Sequence, residues 1–141
     1  MKSQVILNYV KTQLLANATI TGLVGSRIAV DLFQEEDECD VPSILLSDGG
    51  STPTGKGPLG FVHYQMMVII GMEIRGDVLA TDKATLCEAI NAMLYADQQL
   101  GGHALQLLAP KISGGAREDE PSIYIVRLSY PIIYQVPEGQ I

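Results

Sequence analysis

The sequence has few cysteines, no tryptophan, little charge and no long apolar run. Cys39 and Cys87 are the only thiols, and without a C-x-x-C spacing they favour a reducing compartment over a disulfide scaffold. Charged residues make up 18% of the chain, below the usual quarter of a soluble protein. No segment has the length of a membrane span or the apolar core of a signal peptide. We therefore expect a soluble protein with no membrane partner, made in a cytoplasm.

Basic residues are also scarce. The chain carries 9 Lys and Arg against 16 Asp and Glu, for a net charge of −7, and the basic residues form no run. Tight binding to nucleic acid requires clustered Lys and Arg, so it is excluded as a main activity. An acidic wall around a pore would instead let DNA slide through without adhering.

Motifs for catalysis or for cofactor and metal binding are missing too. His63 and His103 have no metal-ligand spacing with each other or with a cysteine. The acidic segment 35–40 lacks the glycine-punctuated pattern of a calcium loop. Gly55-Lys56-Gly57 is not a phosphate-binding loop, because Ser or Thr does not follow Lys56. We expect no enzyme activity, no cofactor and no metal.

The most informative pattern present is a long alternating stripe. Every second residue from Val62 to Ile74 is apolar, which is typical of a half-buried β-strand. Thirteen residues would extend roughly 43 Å, whereas a domain of this size is about 37 Å across. Such a strand must either bend, with Gly71 as the candidate site, or reach a neighbouring subunit.

The remaining patterns complete a two-layer domain. They predict a helix from Ser3, as N-cap, to Ala16, a short turn or helix over 19–24 closed by Gly25 as a left-handed cap, and a helix over 82–97 capped by Asp82. Strands are predicted over 27–32, 43–47 and 104–112, and a long strand over 123–136 with Pro131 at an edge or bulge. A flexible connection over 48–60 and a loop over 113–121 complete the chain. The fold class is therefore α+β: a mostly antiparallel sheet with two helices on one face, as a single domain over 1–141.

Two short motifs also match a known family. In residues 14–30 an amphipathic helix is followed by an ITGLVGSRI segment and then by a strand, and the match is carried by Leu23, Val24, Gly25, Arg27 and Ile28. A proline-led strand, Val41-Pro42-Ser43-Ile44, and the helix over 81–94 follow in the same order. In these features the chain resembles the phage tail-terminator, or tail-completion, family.

The resemblance implies a structural role in a virion. Members of that family form a ring, usually of six copies, on the last ring of the tail tube. The ring halts tube polymerisation and offers its other face to a head-tail connector or neck protein, and DNA only passes through its lumen. The implied location is the virion tail, with assembly in the host cytoplasm.

The cations that are present suit contacts between identical subunits. On an acidic chain, scattered basic residues can form salt bridges across a subunit interface, and we choose Lys56, Arg75, Arg117 and Arg127 as the candidates. Glu35 and Glu36, in the acidic loop 35–40, are candidate interface residues of opposite charge. The expected contact elements are this loop, the two loops 48–60 and 113–121, and the far ends of the long strands.

Three alternatives stay open at this point. The chain could be another neck or head-completion protein of the virion. It could be a small α+β ligand-binding or enzymatic domain that uses His63 or the carboxylates of 35–40. It could also be a self-contained antiparallel domain that forms no ring.

Overall fold

The computed structural model describes residues 2–30, 42–58, 60–117 and 121–138. Three helices and six strands form in this part of the chain: α1 (Lys2–Ala16), α2 (Ala18–Val24), β1 (Ile28–Val30), β2 (Ser43–Lys56), β3 (Phe61–Arg75), α3 (Leu79–Ala96), β4 (Gln106–Leu107), β5 (Lys111–Ala116) and β6 (Ile123–Pro137). Short 3₁₀ turns flank α3 at Gly76–Val78 and Leu100–Gly102.

All six strands belong to one sheet. Its order is β1-β2-β3-β6-β4, and β5 pairs with the same side of β6 as β4 does. β1 is parallel to β2, and every other pair is antiparallel. The predicted α+β class with a mostly antiparallel sheet is confirmed.

The two long strands are each other's partners. β3 and β6 pair over 15 consecutive positions, from Phe61 opposite Pro137 to Arg75 opposite Ile123, with no register shift. Both predicted stripes are therefore confirmed. Gly71 lies within this ladder, opposite Arg127, and no bulge interrupts the strand there.

The helices cover one face of this sheet. α1 packs on β1 and β2, α3 packs on β3 and β6, and α2 contacts both α1 and α3. The apolar stripes predicted for the two long helices supply the buried contacts: Ile6, Leu7, Val10 and Leu14 in α1, and Leu86, Ile90 and Leu94 in α3. From the sheet, alternate residues of β3 and β6 meet them, including Val68, Ile70 and Leu128.

Two predicted helix caps are wrong. Ser3 lies inside α1 and is buried, because the helix already includes Lys2. Asp82 lies in the first turn of α3, which begins at Leu79, where a carboxylate interacts favourably with the positive end of the helix. Asn17 is the cap that the structure uses: its side chain accepts hydrogen bonds from the N–H groups of Thr19 and Ile20.

Gly25 ends α2 as predicted, but not in the left-handed helical conformation. Its φ is 60° and its ψ is −129°, and its N–H donates to Thr21 O at 2.8 Å. Next to it, the Arg27 side chain donates to the carbonyls of Leu23 and Pro42, at 3.2 and 2.9 Å. This arginine, one of the residues that carry the resemblance, ties the end of α2 to the start of β2.

The predicted flexible loop over 48–60 is wrong. β2 continues to Lys56 and pairs with β3, with register shifts between Asp48 and Ser51 and between Pro53 and Gly55. Gly and Pro have low strand propensity, but the edge of β3 supplies hydrogen-bond partners, and this tertiary contact overrides the local preference. The β1 prediction is confirmed over 28–30, and its last two residues lie outside the described part.

The predicted strand over 104–112 is also wrong, because it divides into β4 and β5. The carbonyls of Pro131 and Ile133 accept hydrogen bonds from the N–H groups of Leu108 and Leu105, at 2.9 and 2.7 Å. The nitrogen of Pro131 therefore faces this side and has no proton to donate, so the edge strand is broken beside it. Pro131 itself is neither on an edge strand nor at a bulge with β3. β5 then extends to Ala116, within the predicted loop over 113–121.

We expect the fit of β5 against β6 to depend on Gly114. A Cβ at this position would lie 2.3 Å from the carbonyl oxygen of Ile125, whereas nothing lies within 4 Å of a Cβ at Gly115. Gly114→Ala should therefore lower the free energy of unfolding by about 1–3 kcal/mol, the range typical of overpacking. Urea unfolding of Gly114→Ala and of the matched control Gly115→Ala measures this difference, and equal stabilities would contradict it.

Candidate assembly surfaces

The sheet has one covered face and one open face. Even-numbered residues of β3 and β6 point toward the helices, and those from Met66 to Ile74 are fully buried. Odd-numbered residues form the open face, which is only half-buried along most of β3. Its apolar members include Leu45, Met67, Ile69, Ile125 and Ile133, and the exposed fraction of Leu45 is 42%. In the described part of the chain no element packs over this face.

The far end of β2 is exposed, whereas Tyr134 and Val136 of β6, at the same end of the sheet, stay buried. Burial alternates along β2 up to Leu46, but from Gly49 onward every residue of the strand is exposed. Three side-chain contacts link the strands there. Tyr64 of β3 stacks on Tyr134 of β6 with ring centroids 5.6 Å apart, and His63 of β3 lies 3.2 Å from Gln135 of β6. The Tyr134 hydroxyl also donates to Ser51 Oγ of β2 at 3.3 Å. We call residues 49–57 together with 60–64 the β2–β3 arm.

The candidate cations lie at two opposite ends of the sheet. Lys56 is in the β2–β3 arm, where its Nζ is 3.5 Å from Glu138 and both side chains are exposed. Arg75, Arg117 and Arg127 lie toward the other end, with Arg127 opposite Gly71. Arg75 is exposed at the end of β3, Arg127 is exposed on the open face, and Arg117 is half-buried, 3.4 Å from Glu73.

Glu35 and Glu36 lie outside the described residues, as does Cys39. The interface role of all six candidates therefore stays a prediction. The exposed large apolar residues of the described chain are additional surface candidates, which the search for charged residues missed: Val5, Leu15, Leu45, Phe61, Val78, Tyr95, Leu105 and Ile112. Ile112 is the most exposed of these, at 59%.

A cluster of titratable groups joins α1 to the end of α3. The Tyr9 hydroxyl donates to the Asp97 carboxylate, which also accepts from the Gly101 N–H at 3.1 Å, and the Tyr9 ring lies edge-on to His103, with centroids 5.3 Å apart. The hydrogen bond from Tyr9, supported by that from Gly101, lowers the pKa of Asp97, and the same bond raises the pKa of Tyr9. Tyr9 and Asp97 are 88 positions apart in the chain, and no sequence pattern predicted this contact.

Two further reactive side chains, those of Tyr130 and Cys87, take part in packing. The Tyr130 hydroxyl donates to Asn91 at 2.9 Å, and burial raises its pKa. Burial also raises the pKa of the half-buried Cys87 thiol, which disfavours the reactive thiolate. In the described residues no group of three or more His, Cys, Asp or Glu could hold a metal ion. Over the same residues, no helix is long and apolar enough to span a membrane.

The fold has a counterpart among solved structures. A chain of the virion of a native gene transfer agent particle is similar to it, with a TM-score of 0.53 and 12% sequence identity, and the match covers 90% of this chain and 92% of that chain. At this identity the likeness is one of fold, and it extends over nearly the whole of both chains. No protein-family model matches the sequence, and no curated protein does.

The contact between Tyr9 and Asp97 should stabilise the fold in a pH-dependent way. Because the folded chain lowers the pKa of Asp97, this stabilisation is present above the unfolded value of about 4 and is lost as the pH falls through the folded value. Tyr9→Phe should lower the free energy of unfolding at pH 7 by up to about 1 kcal/mol, since the pair is near the surface.

Urea unfolding at pH 7 and at pH 3 tests this expectation, with Tyr95→Phe as the control. The effect of Tyr9→Phe should shrink at pH 3, whereas that of the control should not change. An equal effect of Tyr9→Phe at both values would contradict the assignment.

Proposed function

We propose that this chain is a virion structural protein of a phage-like particle, and that it forms a ring that caps the tail tube. In this proposal the ring, of six copies as the family resemblance implies, stops tube polymerisation and provides the surface for head-tail joining. Its partners are further copies of itself, the tail-tube protein and a head-tail connector or neck protein. It is not an enzyme and requires no cofactor.

The observation that carries the proposal is the likeness of fold to a virion chain over nearly its full length. Such coverage means that the helices and the sheet are matched together rather than one local motif. The order of elements also agrees with the tail-terminator resemblance, which rests on different features, namely the short motifs around Gly25 and Pro42.

The surfaces of the sheet suit an assembled state. The β2–β3 arm buries little of its own surface, because β2 is exposed on both faces there. A segment of this kind gains stability by packing on a neighbouring subunit or on a second protein. The half-buried apolar residues of the open face are also more numerous than a fully solvated face requires.

The charges are consistent with a conduit for DNA. A net charge of −7 per copy would multiply around a ring and repel the phosphates of a passing genome. Copies of like charge also repel one another, so local ion pairs are needed at their contacts. We propose Lys56, Arg75, Arg117, Arg127, Glu35 and Glu36 as participants in these contacts, at subunit or partner interfaces.

A polymerisation assay with the cognate tail-tube protein tests the function. Added while the tubes grow, the chain should stop elongation, and electron microscopy should show extra density at one end of each tube. The matched control is the same amount of heat-unfolded chain, which should leave tube length unchanged. Unaltered growth, with the native chain bound to no tube end, would contradict the terminator role and favour the other neck or head-completion proteins.

A further inference from the structure

We propose that neighbouring copies join edge to edge, with β5 of one copy pairing antiparallel with β1 of the next. This inference rests on the proposed function, because it names the surface through which the ring would close. It starts from the two strands at the ends of the sheet. Of the strands that the structure describes, β5 pairs only with β6, and β1 pairs only with β2.

The two edge strands lie level with each other. Three rows of paired residues run across all five strands from β1 to β5. They are Ile28–Ile44–Met72–Val126–Gly114, Ala29–Leu45–Gly71–Arg127–Ser113, and Val30–Leu46–Ile70–Leu128–Ile112. β5 of one copy can therefore pair with β1 of the next in the register of these same three rows. Such a head-to-tail contact is heterologous, and its repetition gives a ring when the rotation from copy to copy closes.

The directions of the two strands also match. β1 is parallel to β2, β2 runs opposite to β3, and β6 runs opposite to both β3 and β5. β5 and β1 consequently run in opposite directions. The junction between two copies would be antiparallel and would continue the mostly antiparallel sheet from one copy into the next.

In these three rows, the backbone groups of β5 and β1 that are not paired within the described sheet point away from it. The Arg117 N–H donates to Ile123 O at 2.8 Å, so odd-numbered residues of β5 face β6, and Ile112 and Gly114 direct their N–H and C=O groups outward. The Ile44 N–H donates to Arg27 O at 2.9 Å, so Ala29 faces β2, and Ile28 and Val30 direct theirs outward. Val30 opposite Ile112 and Ile28 opposite Gly114 would therefore form two hydrogen-bonded pairs.

The side chains that would meet at this junction, Ile112 and Val30, are both apolar. Ile112 lies on the helix-facing side of the sheet, in the row of buried Leu128, yet 59% of it is exposed. Val30 of the next copy is in the same row and on the same side. The contact would bury Ile112 against an apolar neighbour. Gly114 and Gly115 leave room for another strand, and the one charged residue of β5, Lys111, lies outside the three rows.

Disulfide trapping tests the pairing. Ala29 and Ser113 share a row and would form the closely spaced, non-hydrogen-bonded pair, whose geometry suits a cross-strand disulfide. In a Cys39→Ser, Cys87→Ala background, the Ala29→Cys, Ser113→Cys double variant should give a ladder of multimers on a non-reducing gel. Each single variant is the matched control and should stay monomeric. Cross-linking of Ser113→Cys alone would indicate that β5 pairs with itself and would overturn the proposal.

A charged substitution gives an independent readout. Ile112→Lys should raise the dissociation constant between copies at least tenfold in analytical ultracentrifugation. Ala84→Lys, which alters an exposed residue of α3 away from both edge strands, should leave that constant within twofold. Equal effects of the two variants would overturn the assignment of the edge.

These results separate this inference from the proposed function. If tube ends are capped and multimers form, but the double variant gives no ladder, the edge assignment is wrong and the function stands. If the chain neither assembles nor caps tubes, the function itself fails.

Discussion

Fifteen consecutive residues of β3 pair with fifteen of β6, and this ladder sets the geometry of the rest of the molecule. Because side chains alternate along a strand, one uninterrupted register gives the sheet one face that is apolar along most of its length. α1 and α3 bury their stripes on that face. A shift of one residue would turn Val68, Ile70 and Leu128 away from the helices, so the two-layer architecture depends on this register.

The same ladder leaves three parts of the sheet available for contacts with other chains. β2 is exposed from Gly49 onward, in the β2–β3 arm, and the sheet is two-faced, so an open face with apolar residues remains. Within the described residues, the sheet also ends laterally in β1 and β5, each of which pairs on one side only. Each of these is a place where a neighbour can bind, and together they agree with the proposed role in an assembly.

The sequence predicted those parts of the fold in which periodicity is strong and local. The stripes of Val62–Ile74 and of 123–136 identified both long strands, and the spacing of Ile6, Val10 and Leu14 identified the buried side of α1. Prediction failed where a tertiary partner overrides local preference. The Gly- and Pro-rich residues 49–56 form a strand because β3 is beside them, and β4 and β5 are separate because Pro131 has no N–H for the strand that passes it.

The surface was harder to predict than the fold. Charge alone selected Lys56, Arg75, Arg117 and Arg127 as interface candidates, and the three arginines lie in the half of the sheet opposite Lys56. The contact of Tyr9 with Asp97 and the exposure of Ile112 left no sequence signal, because each depends on which residues meet across strands and helices far apart along the chain.

Assembly into a closed ring is the central claim. Native mass spectrometry of the chain over a concentration series tests it most directly. We predict one assembly of fixed copy number that grows in abundance as the concentration rises, with no larger series beyond it. Monomers at every concentration, or an unbroken ladder of ever larger oligomers, would contradict a ring closed by head-to-tail contacts.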